Sequence, residues 1–133
     1  MRRIVSIAVA LIVLSAIPAT LAQSSEDAAK AKTVTGILQD KACSNKSMRD
    51  SDPYMAASKH TRACAMMGPC AGSGYGIVTK DGKFLKFDAK GDEQAKALLE
   101  KTTKKDNLAV SVEGTMSGDI LEVKSIKEEP AQP

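Results

Sequence analysis

Residues 74–88 read GYGIVTKDGKFLKFD, and this stretch decides the fold. Two runs with strand character, Gly74–Lys80 and Lys83–Asp88, flank the dipeptide Asp81-Gly82. An Asp-Gly pair between two such runs is typical of a tight β-hairpin, because Asp and Gly tolerate the backbone conformations that the turn requires. The stretch therefore predicts the second and third strands of a sheet.

Working outward from the hairpin, the sequence predicts three more strands and a helix. Apolar residues recur at every second position in Thr33–Asp40, which predicts a first strand. The same alternation in Asn107–Met116 and Ile120–Ile126 predicts a fourth and a fifth. Gly91–Lys101 is amphipathic, with acidic residues at its start and lysines at its end, as a helix favours. This order predicts a mainly β fold, a small five-stranded OB-like barrel with a helix between strands 3 and 4.

The N-terminal end has the pattern of a secretory signal peptide. Two arginines, Arg2 and Arg3, precede an apolar run that ends in the small-residue site Thr20-Leu21-Ala22. We expect cleavage after Ala22, export to the periplasm or beyond, and no membrane contact afterwards; the alternative is a retained membrane anchor. The predicted organisation is a signal peptide at 1–22, a tether at 23–32, a domain at 33–127 and a disordered tail at 128–133.

Charge and composition narrow the classes of function. Loss of Arg2 and Arg3 with the leader leaves 17 of the 19 basic residues against 16 acidic ones, so no basic patch for nucleic acid is expected. The candidate aromatics for an OB-type binding surface are Tyr75, Phe84 and Phe87, of which one or two are needed for the core. With one histidine and no phosphate-binding glycine loop, the chain is not expected to be an enzyme.

The chemistry of the chain is concentrated in an insertion, residues 41–72, between strands 1 and 2. It holds all three cysteines, the one histidine and four methionines: Cys43, Met48, Met55, His60, Cys64, Met66, Met67 and Cys70. Asp52 as N-cap and Pro53 after it predict a helix that continues to Met67 and stops at Gly68-Pro69. On such a helix His60 and Cys64 lie four residues apart and share a face, with Met67 one turn further on.

Three interpretations of the insertion stay open. In an exported protein, two of Cys43, Cys64 and Cys70 can form a structural disulfide, and the sequence does not choose among the three pairings. A second interpretation is a Cys3His metal site at Cys43, His60, Cys64 and Cys70, helped by Met67, for zinc or copper. The third is thiol redox activity, with His60 lowering the pKa of Cys64. We prefer a soft-metal binding module, with a disulfide-stapled interaction domain as the alternative. The expected partner is a metal ion or another envelope protein.

The chain resembles a group of small exported bacterial proteins of uncharacterised function with an OB-like barrel. The resemblance covers about Thr33 to Ile126 and rests on a Cys/His/Cys/Cys set and several short strand motifs. These are Val34-Thr35-Gly36 with Asp40 and Cys43, His60-Thr61 with Cys64 and Cys70, Ser73-Gly74-Tyr75-Gly76, Gly82-Lys83, Val112-Glu113-Gly114 and Val123-Lys124-Ser125-Ile126. The resemblance implies a fold and an exported location, and it implies no reaction, substrate or cofactor.

Overall fold

The structure, a computed structural model, describes residues 30–131. Its strands are β1 Lys32–Asp40, β2 Tyr75–Val78, β3 Phe84–Phe87, β4 Ala109–Ser117 and β5 Ile120–Glu128. Its helices are α1 Lys41–Ser47, α2 Pro53–Ser58, α3 Arg62–Ala65, α4 Gly68–Gly72 and α5 Ala89–Lys101. The described chain is about 34% helix and 34% strand, which is more helix than the mainly β expectation.

The five strands form one mixed sheet in the order β1-β2-β3-β5-β4. β1 is antiparallel to both β2 and β4. Strand pairing therefore runs from β1 through the other four strands and back to β1. β3 and β5 are the one parallel pair within the described residues. The four other pairings are antiparallel, and a bulge between Glu113 and Gly114 interrupts the register of β4 with β5.

The hairpin predicted at Asp81-Gly82 is confirmed. β2 and β3 pair antiparallel, with Ile77 opposite Leu85, and the N–H of Gly82 donates to the carbonyl of Thr79 over 2.9 Å. Gly82 has a φ of +74°, a backbone conformation that side chains disfavour. The turn residues therefore lie where the sequence places them, between the two paired strands β2 and β3.

The predicted helix between strands 3 and 4 is also present, as α5. Its Ala95 and Leu99 are fully buried against the sheet, as the amphipathic pattern requires. The main core is otherwise aliphatic apart from Tyr75 and Phe87, which are both buried. Phe84 is half-buried against a second, smaller core cluster. Two of the three candidate aromatics for a binding surface are therefore core residues.

The insertion is helical, but the single helix predicted from Asp52 to Met67 is wrong. The structure ends α2 at Ser58 and begins α3 at Arg62. Two backbone hydrogen bonds flank the break: the N–H of Asn107 donates to Ser58, and that of Arg62 donates to the carbonyl of Lys105. The segment before β4 thus competes with helix continuation, and Thr61 caps the helix that follows.

The ends of the domain differ slightly from the predicted bounds. β1 begins at Lys32, the last residue of the predicted tether, and β5 extends to Glu128, the first residue of the predicted tail. The predicted signal peptide and all but the last residues of the tether lie outside the described residues. From residue 30 to residue 131, no helix combines the length and apolar character that a membrane crossing needs.

We expect Gly91→Ala to lower the free energy of unfolding by about 1–3 kcal/mol, although alanine favours helices. A Cβ at Gly91 would lie 2.5 Å from Val123 Cγ2 and 2.8 Å from Phe87 Cβ, so α5 would have to move off the sheet. Gly72→Ala is the matched helical control, because nothing lies within 4 Å of its Cβ position. Urea unfolding followed by circular dichroism measures both; equal stability of the two variants would contradict the packing argument.

Candidate metal centre

The three cysteines meet at one point of the insertion. Cys43 Sγ lies 3.7 Å from Cys64 Sγ and 3.9 Å from Cys70 Sγ, and all three sulfur atoms are within 4.8 Å of one another. A disulfide bond is about 2.05 Å long, so these are free thiols in contact rather than bonded pairs. All three residues are partly buried. The group is therefore a compact three-sulfur site that solvent can reach.

Each cysteine is the third residue of a short helix. Cys43 follows the N-cap Asp40 of α1, Cys64 follows the N-cap Thr61 of α3, and Cys70 follows the N-cap Met67 of α4. The N–H of Cys43 donates to Asp40 Oδ1 over 2.8 Å, and that of Cys64 donates to Thr61 Oγ1 over 3.2 Å. Helix capping thus fixes the backbone of these two thiols directly.

Side-chain hydrogen bonds tie the insertion to the sheet and hold its helices together. The Tyr75 hydroxyl, in β2, donates to the carbonyl of Ala65 at the end of α3 over 2.9 Å. Ser73 Oγ donates to the carbonyl of Cys70 over 2.7 Å and accepts from the N–H of Ala42 over 3.0 Å. The first bond holds α3 to the sheet and the other two hold α4 to α1, so the thiols are positioned by more than their own helices.

A buried carboxylate and imidazole lie beside the thiols. Asp40 is fully buried, the His60 side chain is 8% exposed, and His60 Nε2 is 3.1 Å from Asp40 Oδ2. The two atoms are close but are not aligned as a hydrogen bond, and within residues 30–131 neither has another hydrogen-bond partner. Asp40, Cys43 and His60 form a second group whose ligand atoms lie within 4.8 Å of one another. Cys43 belongs to both groups.

Burial controls the protonation of the site. It raises the pKa of the Cys43 thiol far above its usual range, with smaller contributions in the same direction from Cys64, Asp40 and Cys70. Burial likewise raises the pKa of Cys70. Burial also lowers the pKa of His60, because its effect is larger than the opposite effect of the Asp40 carboxylate. Without a metal, Cys43 is therefore a thiol and His60 a neutral imidazole at neutral pH, and a cation that binds thiolate must displace protons.

A cavity of about 410 Å³ opens onto the two groups. Cys43, His60 and Cys64 line it, together with residues that include Gln39, Ser47 and Lys59. Gln39 is buried and donates to Ser47 Oγ through its amide nitrogen, which leaves its oxygen Oε1 without a partner among the described residues. The cavity gives a small ion or ligand a route to the thiols and the imidazole.

The structure divides the predicted Cys3His set between the two groups. Cys43, Cys64 and Cys70 come together, whereas His60 joins Cys43 and Asp40. Met67 caps α4 with its backbone and is 57% exposed, so a role for it as a ligand stays a prediction. Met55 and Met66 are also exposed.

Sequence reasoning did not place Asp40 among the site residues. The signal for it is a spacing: Asp40-Lys41-Ala42-Cys43 and Thr61-Arg62-Ala63-Cys64 both put a capping residue three positions before a cysteine. The repeat also marks both helix starts, including the start of α3 inside the predicted continuous helix. It would have located the break between α2 and α3.

Comparison with known proteins finds no match to this chain among protein-family models, curated proteins or solved structures. The resemblance to small exported proteins therefore stays a prediction. Function has to be argued from the two groups themselves, which are positioned to hold a metal ion.

We expect Tyr75→Phe to lower the free energy of unfolding by about 1–3 kcal/mol, because it removes a buried donor from the carbonyl of Ala65. The matched control is Tyr54→Phe, in the smaller core cluster, for which a change within about 0.5 kcal/mol is expected. Chemical unfolding of the reduced proteins measures both. An unchanged stability of Tyr75→Phe would show that this hydroxyl does not hold α3 to the sheet.

We also expect the Cys43 thiol of the reduced, metal-free protein to react slowly with iodoacetamide at pH 8. Each unit of raised pKa lowers the thiolate fraction about tenfold, so a rate at least about tenfold below that of the unfolded chain is expected. Timed alkylation and peptide mass spectrometry measure the rate, with the same protein in guanidinium chloride as control. Equal rates in the folded and unfolded chains would contradict the raised pKa.

Proposed function

We propose that this protein is a binding module that captures one soft metal ion, copper(I) or zinc, between the thiolates of Cys43, Cys64 and Cys70. The observation that carries the proposal is the spacing of the sulfur atoms, 3.7 and 3.9 Å from Cys43. Four ligands at a zinc–sulfur distance of about 2.3 Å in tetrahedral geometry lie about 3.8 Å apart. The thiol of Cys43 is thus already separated from those of Cys64 and Cys70 as ligands of one ion would be, and all three lie within 4.8 Å of one another.

The donor set favours copper(I). Three sulfur ligands form the group, and thiolate and thioether ligands select copper(I) over harder ions. Two exposed methionines, Met66 and Met67, lie between α3 and α4 and can offer thioethers to an arriving ion. Zinc is the second candidate, with a further ligand completing its tetrahedron.

The proposed setting is an exported OB-like domain without catalytic activity. The strand order β1-β2-β3-β5-β4, with α5 between β3 and β4, supports the OB-like assignment. The leader pattern of residues 1–22 supports export. In an oxidising compartment a bound ion would protect neighbouring thiols from disulfide formation. Another envelope protein is then the proposed source or recipient of the metal.

Copper(I) titration of the reduced protein against a chromophoric chelator tests the proposal. We expect one equivalent per chain, and we expect Cys64→Ser or Cys70→Ser to weaken binding at least about 100-fold because a thiolate ligand is lost. Met116→Leu, an exposed methionine in β4, is the control and should leave the affinity unchanged. Met67→Leu is compared with it to test the thioether of Met67.

A thiol count separates the proposal from its alternative. After isolation from an oxidising compartment and chelation, the proposal expects three alkylatable thiols by mass spectrometry. A stoichiometric disulfide with one alkylatable thiol, and no metal retained after incubation with copper or zinc, would replace the metal site with a disulfide-stapled interaction domain. The sulfur atoms of Cys64 and Cys70 need to move less than about 2 Å towards that of Cys43 to form such a bond. The experiment therefore has to be done on protein that has not been reduced.

A further inference from the structure

Binding of one ion by three thiolates does not explain why Asp40 and His60 are buried next to each other. Asp40 Oδ2, His60 Nδ1 and His60 Nε2 are all buried, and none of them has a hydrogen-bond partner within residues 30–131. Buried polar atoms in native proteins are almost always satisfied, and those left over mark unobserved waters, ions or functional sites. A cation is a group that can satisfy a carboxylate oxygen and an imidazole nitrogen together.

The separation of the two atoms matches that of two ligands of one cation. Oxygen and nitrogen ligands at about 2.0 Å from a tetrahedral ion lie about 3.3 Å apart. Asp40 Oδ2 and His60 Nε2 are 3.1 Å apart, without the alignment of a hydrogen bond. Cys43 Sγ completes a set of three ligand atoms within 4.8 Å of one another.

The carboxylate is held ready for this role. Its other oxygen, Oδ1, accepts the N–H of Cys43 over 2.8 Å and caps α1, which fixes the direction of Oδ2. A ligand whose remaining atoms are already hydrogen-bonded is typical of metal sites. Cys43 and His60 also line the cavity, through which water or a small ligand can reach the ion as a fourth ligand.

We propose that Asp40 Oδ2, Cys43 Sγ and His60 Nε2 form a second metal site, for a borderline divalent cation such as zinc. Carboxylate, imidazole and thiolate together suit such an ion better than copper(I). Cys43 belongs to both groups, so its thiolate would bridge the two ions. Only the bridging role of Cys43 rests on the proposed function. Asp40 and His60 are ligands that the second site does not share with the first.

Zinc binding to the reduced full chain, counted by native mass spectrometry and elemental analysis, tests the second site. We expect two zinc ions per chain. Asp40→Asn keeps a capping side chain but removes the carboxylate, and it should reduce the count to one, as should His60→Ala. Asp50→Asn is the matched control, since Asp50 is an exposed carboxylate on the same cavity outside both groups, and it should keep two ions.

Cys70→Ser should leave one ion at the second site, and Cys43→Ser should abolish both. Cadmium-113 NMR of the wild-type protein should show two resonances, the less sulfur-rich ion at lower frequency, and His60→Ala should remove that one. If His60→Ala proves unfolded by circular dichroism, Asp40→Asn alone decides the count.

Two results would overturn the second site. One is a single zinc ion whose binding is unchanged in Asp40→Asn and His60→Ala. The other is a single ion that is lost both in His60→Ala and in Cys70→Ser, which would make all four side chains ligands of one ion. A single ion retained in Cys70→Ser but lost in His60→Ala would instead refute the three-thiolate function and leave the Asp40–Cys43–His60 site standing.

Discussion

The carboxylate of Asp40 connects the sheet to the insertion. Asp40 is the last residue of β1, the strand that pairs with both β2 and β4, and it is also the N-cap of α1. One of its oxygens fixes the backbone of Cys43, and the other lies 3.1 Å from His60. A change in the direction of this side chain would therefore disturb a helix start, a thiol and an imidazole together. Because Asp40 is fully buried, the sheet leaves it little freedom to turn.

The thiol group gains its geometry from short helices rather than from one long one. A continuous helix would carry His60 and Cys64 on a common face, at a distance set by helical pitch. Separate helices can instead point their first turns at one another, and α1, α3 and α4 each bring a cysteine in this way. The sheet supports α3 through Tyr75, and a rigid support of this kind is what a preorganised ligand set needs.

Prediction from the sequence succeeded where structure follows from local pattern. The hairpin at Asp81-Gly82 depends on turn residues, and α5 depends on an amphipathic period, so both were found close to their observed bounds. The break between Ser58 and Arg62 depends on backbone hydrogen bonds to Lys105 and Asn107, more than forty residues away along the chain. No glycine or proline marks this break in the sequence, and the sequence signal for it is the capping residue Thr61.

The sequence by itself determined the chemical inventory of this protein: three thiols, one imidazole and several thioethers within a single insertion between the first two strands. It determined the order of the five strands and the place of α5 as well, because these follow from the spacing of apolar residues and turns along the chain. Only the tertiary structure decided which of these groups come together. The distances among Cys43, His60, Cys64 and Cys70 depend on how α1 and α2 pack against β1 and β2, and on how α4 packs against α1 and α3. That packing placed the imidazole beside Asp40 and Cys43 rather than with all three thiols, and it brought in Asp40, which sequence reasoning had not placed in the site.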